Sequence, residues 1–541
     1  MNFLSKLFNF SIPTKLLNDM FFIVKKYPLM IIVYILVILS VSAYVIYYAN
    51  GLGLAYNDAR SHLDIGRRVV EGLKPGVAQL GSVWLPLPHI VIALTVWNDF
   101  MWHSGLSGAI FSMISYIFTA IIIYLFLRQL NVGILGRIIG VSVFALNTNI
   151  LYLQSTAMTE LLLLATMTIA VYELMLWFKT DKLLYLIRCA FWVMLSTLAR
   201  YDGWFLLAFS SALILGRVFF KKGYKVTEGY YILFATLAGF GVFLWLLWNL
   251  IIFGDPLYFA FGPYSAHAQQ QQIDAAGELV TKGNLLLSLK FYFYAMFYNS
   301  NAFLSILAMF GALVLWFDKR LKTPVKVATT ALLAPFFFNV LALFLGHSVL
   351  FIQGLSGNTW FNIRYGVMLV PSIAIFIGFL VDRLKFMKWT VIALFIFVTT
   401  FSFASIDTVT IDDARVGSSQ KNVSEVSGWL ERNAKDKDGF VLISAASHDA
   451  IIFSSQLPMS KFIHEGTGRY WESATTAPDL WARWIVMRTH DDSDQTYRLV
   501  KTSPGFERYN LIESYPFADI YELKDEYLPT LNTKPVFPNQ K

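Results

Sequence analysis

YNDARSHLDIGRRVVEGLKPGVAQLGSVWLPLPH, residues 56–89, directly follows the first long apolar run of the chain. The stretch is dense in ionisable side chains, although the segments around it have the composition of membrane spans. Ionisable groups beside hydrocarbon are costly unless they face water or a polar cavity, so this cluster predicts a functional site. The alternative is a solvated surface loop. Further polar groups predicted at the same membrane face favour the functional interpretation.

The composition places the chain among polytopic membrane proteins. Of its 541 residues, 56% are hydrophobic and only 14% are charged, which lies outside the usual range of soluble domains. The formal net charge of +8 comes from short basic runs at the ends of apolar stretches, as expected of cytoplasmic loops. It therefore predicts no nucleic-acid partner. Cys189 is the only cysteine, which excludes an intrachain disulfide.

The first apolar run, PLMIIVYILVILSVSAYVIYYA at 28–49, is long enough to span a bilayer. It is too long for the core of a signal peptide and lacks a small-residue cleavage site. We predict a retained signal anchor, with residues 1–27 in the cytoplasm and the loop at 56–89 outside. Further spans are predicted at 104–127, 135–152, 160–178, 183–199, 204–220, 230–252, 300–317, 325–345, 366–381 and 388–405.

This pattern makes about eleven spans and, being odd, places the C-terminus outside the cytoplasm. Two apolar stretches, 88–97 and 285–298, are too short or too polar-flanked for spans and predict interfacial or re-entrant helices. If either stretch crossed the membrane, the C-terminus would lie on the cytoplasmic side instead. The external loop at 253–284, with its four glutamines, is predicted to be flexible.

After residue 405 short apolar runs alternate with polar turns. Strands are predicted at 440–447 and 483–489 and in a run ending at Leu523, and an amphipathic helix is predicted at 423–434. The fold class is a polytopic α-helical membrane protein with a C-terminal soluble α/β domain. Its parts are predicted at 1–27 (cytoplasmic), 28–405 (transmembrane and catalytic) and 406–541 (extracytoplasmic).

Candidate acids stand at the starts of two predicted helices. In NDARSHLDIGRRVVEGL, helical spacing puts Asp58 and His62 on one face, and Arg60 and Asp64 on another. Asp58 either complements the positive end of its helix or acts in catalysis. Glu160, at the start of an apolar run, has the same two interpretations, and we favour a second acid aimed into an external cavity.

Candidate cations follow in two later external segments. RYDGW at 200–204 places Arg200, Tyr201 and Asp202 in a turn between spans, and IRYGVMLVP at 363–371 places Arg364 and Tyr365 at the outer end of a span. A guanidinium fork suits a phosphate. The alternatives are a plain polar turn and a snorkelling arginine. Acids together with arginines at one membrane face predict transfer of a group from a membrane-borne phosphate.

At these residues the chain resembles the GT-C superfamily of integral-membrane glycosyltransferases. The resemblance is to the family-39-like branch, which includes protein O-mannosyltransferases and the aminoarabinose transferase of lipid A. It covers roughly residues 20–405 and rests on YNDARSH at 56–62, WLPLPH at 84–89, STAMTE at 155–160, RYDGW and IRYGVMLVP. The chain departs from the pattern in its WLPLP turn, where relatives often have two adjacent prolines, and at Asp202, where many have Glu.

The resemblance implies inverting transfer of a sugar from a polyprenyl-phosphate donor to an acceptor at the outer membrane face. It implies that Asp58 is the catalytic base or positions the acceptor, and that Glu160 is a second acid. The chemistry makes Arg60, Arg200 and Arg364 candidates for binding the donor phosphate. The remaining candidates would position substrate: His62, His89, Tyr201, Asp202 and Tyr365.

The expected partners are the lipid-linked donor, a lipid, glycan or protein acceptor, and membrane lipids. No cofactor is required, and although a divalent metal would be compatible, no ligand spacing in the sequence indicates one. Two other functions remain open. One is a polyprenyl-diphosphate glycan ligase or polymerase. The other is a secondary transporter with an external domain, which would need ionisable groups near the bilayer midplane; Glu173 and Arg188 are the nearest.

Overall fold

The computed structural model describes residues 28–262, 265–416 and 420–535. The predicted cytoplasmic segment 1–27 lies outside the described residues, as do the last residues of the predicted outer domain. Eight described helical segments are long and apolar enough to cross a membrane: Pro28–Ala49, Leu106–Gln129, Glu160–Thr180, Asp202–Lys222, Tyr224–Phe253, Thr323–Phe344, Ile363–Arg383 and Lys388–Val416. The predicted polytopic helical fold is therefore confirmed.

Three of these segments consist of consecutive shorter pieces. The pieces are Thr323–Thr329, Thr330–Leu333 and Ala334–Phe344; Ile363–Leu369 and Val370–Arg383; and Lys388–Ser405 and Val409–Val416. Two further apolar helices, Ile134–Ala145 and Leu183–Ala199, are shorter. Leu285–Ser300 and Ala302–Phe317 form a pair bent by 108°. The remaining helices of the membrane part are Asn57–Val70, Val77–Leu80, Leu87–Ala93, Asp99–His103, Thr148–Leu153, Tyr258–Phe261 and Ala266–Ala275.

Asparagine caps set two helix boundaries in the membrane part. The helix predicted over 135–152 ends at Ala145, and a new helix starts at Thr148 because the Asn147 side chain accepts a hydrogen bond from the Ile150 N–H at 3.0 Å. The bend before Ala302 falls at Asn301, which has a φ of 63° and caps the following helix through the Phe303 N–H at 3.0 Å. Capping by Asn147 thus interrupts a span that was predicted as continuous, whereas the break at Asn301 agrees with the predicted separation of 285–298 from 300–317.

Small residues allow two of the membrane helices to pack closely. Gly136 and Gly140 face Gly378, and a Cβ at Gly378 would lie 2.7 Å from the Gly136 carbonyl oxygen. Close backbone approach of this kind is how helices associate in lipid, where apolar burial alone gives little driving force. The segment Ile363–Arg383 that contains Gly378 also carries Arg364 near its start. This contact therefore helps to set the position of Arg364.

The C-terminal domain (residues 420–535) contains one five-stranded sheet of order β2-β1-β3-β5-β4. The strands are β1 (Phe440–Ile443), β2 (Phe462–Ile463), β3 (Ala482–Met487), β4 (Tyr509–Ser514) and β5 (Asp519–Leu523). Strand β1 is parallel to β2 and β3, and β5 is antiparallel to β3 and β4. The domain's α-helices are Gln420–Ala434, Ala445–Ser454, Arg469–Thr476 and Gln495–Val500.

Strand β1 is shorter than predicted because a helix begins at Ala445. The Glu465 carboxylate accepts hydrogen bonds from the backbone N–H groups of Ala445 at 2.8 Å and Ala446 at 2.6 Å. A carboxylate at a helix N-terminus satisfies amides that have no partner within the helix.

The C-terminal domain is docked on the helix Asn57–Val70, which we call the first-loop helix. Ser61 of this helix donates a hydrogen bond to Asp449 of the helix Ala445–Ser454. Beyond the helix, the Gln79 side chain donates to the Gly466 carbonyl at 2.8 Å. The first-loop helix also packs on Leu87–Ala93, where a Cβ at Gly66 would lie 2.6 Å from an Ile92 methyl carbon. It is therefore held between other parts of the first loop and the C-terminal domain.

We expect Gly378→Ala to lower the free energy of unfolding by about 1–3 kcal/mol, because the added methyl group meets backbone atoms that cannot move aside. Gly239→Ala is the matched control, since Gly239 is also inside a membrane helix and a Cβ there meets nothing within 4 Å. This control should be neutral or stabilising by up to about 1 kcal/mol. Thermal melting of the detergent-solubilised proteins measures both. Equal melting temperatures would contradict the proposed close contact.

Candidate functional site

A cavity of about 360 Å³ lies at the ends of the membrane helices nearest the C-terminal domain. Segments far apart in the sequence form its wall, from the first-loop helix to the start of Ile363–Arg383. Seven of the ten predicted site residues line it: Asp58, His62, Arg200, Tyr201, Asp202, Arg364 and Tyr365. The structure therefore brings together all four segments in which the sequence analysis found acids or arginines. The fourth lines the cavity through Met158 and Thr159, and its Glu160 is paired with Arg200 and Arg364.

Arg364 joins the acids around the cavity. Its Nη2 lies 2.6 Å from Asp58 Oδ2, its Nε lies 3.1 Å from Glu160 Oε1, and its Nη1 lies 3.7 Å from Asp413 Oδ2. The guanidinium also lies over the Tyr56 ring, at 4.9 Å from its centroid. The Asp58 side chain is 37% exposed, whereas that of Arg364 is 9% exposed. Asp58 is thus fixed by a buried arginine while remaining open to a ligand.

Arg200 binds the same carboxylate oxygen from another direction. Its Nη1 lies 3.1 Å from Glu160 Oε1 and donates to Thr159 Oγ1 at 3.0 Å, and its Nε lies 3.5 Å from Asp202 Oδ2. Burial acts to lower the pKa of Arg200, but the charges of Glu160 and Asp202 outweigh it and raise the pKa above its ordinary value. Glu160 is fully buried and forms the centre of the cluster rather than part of the cavity wall.

His62 and His89 form a hydrogen-bonded pair. His62 Nδ1 lies 2.8 Å from His89 Nε2, and the His62 ring centroid lies 4.5 Å from that of Trp84. Burial, with the nearby charges of Arg200 and Arg364, lowers the pKa of His62 to about 3. Burial lowers the pKa of His89 well below its ordinary value. Both rings are therefore neutral near pH 7, and His89, which does not line the cavity, reaches it only through His62.

Arg60 does not join the other candidate phosphate-binding residues. It lies outside the cavity wall and is 2% exposed. Burial lowers its pKa, and the charges of Asp449 and Asp64 act in the opposite direction. The helical spacing that brings Asp58 to the cavity turns Arg60 towards the C-terminal domain. Its position therefore does not support the prediction that Arg60 binds the donor phosphate.

Several residues of the site were missed by the sequence analysis. Asp413, from the predicted outer domain, accepts a hydrogen bond from the Tyr56 hydroxyl at 2.9 Å and approaches Arg364. The signal that was available is the acidic pair in IDDAR, just after the last predicted span. Gln270 lines the cavity from the helix Ala266–Ala275, in a loop that was predicted to be flexible. Asn339 and Asn362 also line it.

The acids of the site are distributed around the arginines rather than grouped. Within the described ranges, no set of three or more His, Cys, Asp and Glu side chains could hold a metal ion. The chemistry available to the cluster is that of an exposed carboxylate beside two guanidinium groups. Such a site can accept a proton and bind an anionic group.

Comparison with solved structures identifies the fold. The apo structure of ArnT from Cupriavidus metallidurans matches with a TM-score of 0.54 and 10% sequence identity, over 91% of this chain and 98% of that chain. The structure of the same protein bound to undecaprenyl phosphate matches with a TM-score of 0.52, the same identity and the same coverage.

The archaeal oligosaccharyltransferase AglB from Archaeoglobus fulgidus, in complex with an inhibitory peptide and a dolichol-phosphate, matches with a TM-score of 0.48 and 13% identity, over 93% of this chain and 75% of that chain. No protein-family model and no curated protein sequence matches the chain. ArnT, an aminoarabinose transferase, is a GT-C membrane glycosyltransferase. The likeness to ArnT confirms the predicted GT-C fold.

We expect His62 to make stability fall in acid. An unfolded histidine takes up a proton below about pH 6.5, whereas folded His62 stays neutral until about pH 3. The unfolded state therefore binds more protons in this window, and stability present above about pH 6.5 is lost as the pH falls. At pH 5 the loss from His62 is about 2 kcal/mol.

Melting temperatures measured between about pH 7 and pH 5 test this expectation. They should fall less for His62→Gln than for the wild type. His490→Asn, at an exposed position with a positive φ that asparagine tolerates, is the control and should follow the wild-type curve. A wild-type slope in His62→Gln would show that His62 is not the group responsible.

Proposed function

We propose that the chain is a glycosyltransferase that moves a sugar from a polyprenyl-phosphate donor to an acceptor at the extracytoplasmic face of the membrane, with inversion at the anomeric carbon. The acceptor is a lipid, a glycan or a protein. The GT-C fold supports this class of reaction, since ArnT with the same fold has been crystallised with undecaprenyl phosphate. In this topology residues 1–27 are cytoplasmic and the C-terminal domain is extracytoplasmic.

One observation carries the proposal: an exposed carboxylate and two incompletely bonded guanidinium groups share one cavity. Arg200 forms its hydrogen bonds through Nη1, and Arg364 through Nε and Nη2. Arg200 Nη2 and Arg364 Nη1 make no hydrogen bond to another described residue. Arg364 Nη1 also pairs with Asp413 Oδ2 at 3.7 Å. In the proposed reaction these two nitrogens bind the phosphate, and Asp58 accepts the proton of a hydroxyl group.

Asp58 acts as the general base. The acceptor oxygen forms a bond to the anomeric carbon as the bond from that carbon to the phosphate oxygen breaks. The hydroxyl proton passes to Asp58, and the electron pair of the broken bond leaves with the polyprenyl phosphate. Such a phosphate is a good leaving group near neutral pH, so no general acid is needed on that side.

Arg200 and Arg364 bind the phosphate as its negative charge develops. Both guanidinium groups are held in position before the donor binds, because each is bonded to the buried Glu160. Arg364 also links the two halves of the reaction, since its Nη2 holds Asp58 at 2.6 Å. Glu160 in this mechanism positions the arginines and does not transfer a proton. Tyr201, Asp202, Tyr365 and His62 position the substrates, and His89 supports His62. This mechanism requires no metal.

The position of the site disfavours a secondary transporter. Its charges lie at the ends of the membrane helices, whereas a transporter binds substrate near the middle of the bilayer. A polyprenyl-diphosphate glycan ligase would use a related cavity, and the donor consumed distinguishes it. Turnover of single-sugar polyprenyl phosphates supports the proposed reaction, and turnover restricted to diphosphate-linked oligosaccharides supports the ligase.

We expect Asp58→Asn to lower turnover of the cognate donor by about 10²–10⁴-fold, the usual contribution of a general base. Membranes carrying each protein are supplied with a panel of radiolabelled polyprenyl-phosphate sugars, and sugar transfer and donor hydrolysis are both measured. Asp99→Asn is the matched control, because Asp99 also accepts a hydrogen bond from an arginine Nη2 at 2.6 Å but lies outside the cavity. This control should keep wild-type turnover.

Equal turnover by the wild type and Asp58→Asn would exclude Asp58 as the base. In that case Glu160→Gln, measured in the same assay, would test the other acid. No turnover of any single-sugar donor by the wild type would reject the proposed reaction.

A further inference from the structure

A groove of about 530 Å³ lies at the ends of the membrane helices opposite the cavity. It is formed by the last turn of Glu160–Thr180, the second half of Asp202–Lys222 and the first turns of Thr323–Phe344, and we call it the distal groove. The residues Glu160 and Asp202, which begin two of these helices, belong to the candidate site. A helix of 21 residues is about 30 Å long, so the distal groove is well separated from that site.

Most of the wall of the distal groove is apolar. Leu213 and Phe220 contribute one side, and Pro324 and Val327 contribute the other. Between them lies Gly216, where an added Cβ would meet nothing within 4 Å, so the missing side chain keeps the groove open. An apolar groove between helices that cross a bilayer is more favourably filled by a lipid chain than by water.

Two basic side chains stand at one end of the distal groove. Arg217 and Lys221 both line it and lie one helical turn apart. They share one carboxylate, since Arg217 Nη2 donates to Asp181 Oδ1 at 2.8 Å and the Lys221 ammonium donates to Asp181 Oδ2. These three groups therefore carry a net charge of about +1 at neutral pH.

Both basic groups keep N–H donors for a ligand. Arg217 is held in place because its Nη2 also donates to the Phe178 carbonyl at 2.7 Å and its guanidinium lies 4.5 Å from the centroid of the Phe178 ring. Arg217 Nη1 makes no hydrogen bond to another described residue. The Lys221 side chain is 50% exposed, and an ammonium group has three donors, of which Asp181 takes one.

The neighbouring sequence adds to the positive charge at this end of the helices. Residues 217–225 include four basic and no acidic side chains, and residues 318–326 include four basic side chains and one acidic. Basic clusters at the ends of membrane helices attract anionic lipid headgroups. A soluble anion would leave the apolar wall uncovered, and a zwitterionic lipid would bring its own positive charge next to the arginine and the lysine.

We propose that the distal groove binds an anionic phospholipid. Its phosphate accepts hydrogen bonds from Arg217 and Lys221, and one acyl chain lies along Gly216 between the apolar walls. In the proposed topology this lipid comes from the cytoplasmic leaflet. The site goes beyond the proposed function and does not depend on it, because the distal groove and the cavity have no lining residue in common.

The test measures lipid binding to the purified full-length protein in detergent by native mass spectrometry. Phosphatidylglycerol is compared with phosphatidylcholine of the same acyl chains, and glycerophosphoglycerol supplies the anionic headgroup without chains. We expect phosphatidylglycerol to bind at least about tenfold more tightly than phosphatidylcholine, because two basic groups face the headgroup. Glycerophosphoglycerol should not compete at the same concentration, since it cannot cover the apolar wall.

Gly216→Leu fills the distal groove without removing a contact and should lower the affinity for phosphatidylglycerol by at least about tenfold, because the chain is excluded. Gly239→Leu is the matched control. Gly239 also lies inside a membrane helix, an added Cβ there also meets nothing within 4 Å, and it does not line the groove. This variant should keep the wild-type affinity.

Lys221→Gln tests the headgroup end and should lower the affinity for phosphatidylglycerol by about fivefold while leaving that for phosphatidylcholine nearly unchanged. Lys222→Gln is its control, because Lys222 is the next residue, is exposed and donates to the Tyr230 hydroxyl at 2.8 Å, but does not line the groove. Its loss of affinity should be clearly smaller.

Four results would overturn the proposal. Equal affinity for the two phospholipids would show that the headgroup charge is not recognised, and wild-type affinity in Gly216→Leu would place the lipid elsewhere. Equal losses in Lys221→Gln and Lys222→Gln would indicate attraction by the overall basic charge rather than by a built site. Competition by glycerophosphoglycerol at the same concentration would make the site one for soluble anions.

Discussion

The site depends on the burial of one carboxylate. Glu160 is fully buried at the start of a membrane helix, where an unpaired charge would be very costly. Arg200 and Arg364 both bond to its Oε1 atom at 3.1 Å, and this shared partner keeps two like charges close together. The arginines come from segments more than 160 residues apart, so the ion pairs also join distant parts of the chain.

The polar side chains around Glu160 differ in how far they are exposed to the cavity. Glu160 is buried and serves the arginines, whereas Asp58, on the other side of Arg364, has a partly exposed side chain. The amides of the cavity wall are neutral and are oriented by backbone carbonyls. In the proposed reaction the arginines bind a negative charge and Asp58 accepts a proton. This division explains why so many polar side chains are tolerated beside a membrane.

Some charged residues near the cavity were identified from the sequence, but Asp413 was missed and Arg60 lies outside the cavity wall. Asp58, Arg200 and Arg364 stand out in an apolar sequence, and the predicted order of spans brought them to one membrane face. Asn339 is uncharged within an apolar run and has no comparable signal. Helical spacing places Asp58 and Arg60 on different faces of the first-loop helix, but only the packing of that helix decides which face turns to the cavity.

The fold shows the same contrast between strong and weak signals. Long apolar runs predicted most of the membrane helices, whereas the break after Ala145 depends on a single side-chain cap at Asn147. In the C-terminal domain two strands were not predicted. Strand β2 has only two residues, too few to show the alternation of apolar and polar residues, and β4 is mostly exposed. Strands β1, β3 and β5, which were predicted, are longer than β2 and more buried than β4.

The docking of the C-terminal domain on the first-loop helix has a consequence for the evolution of the sequence. Ser61 and Asp449, and likewise Gln79 and Gly466, are partners across what reads in the sequence as a domain boundary. A substitution on one side changes the support of the helix that carries Asp58. The two segments must therefore diversify together, and a functional chimera between relatives would have to exchange the first loop and the C-terminal domain as one unit.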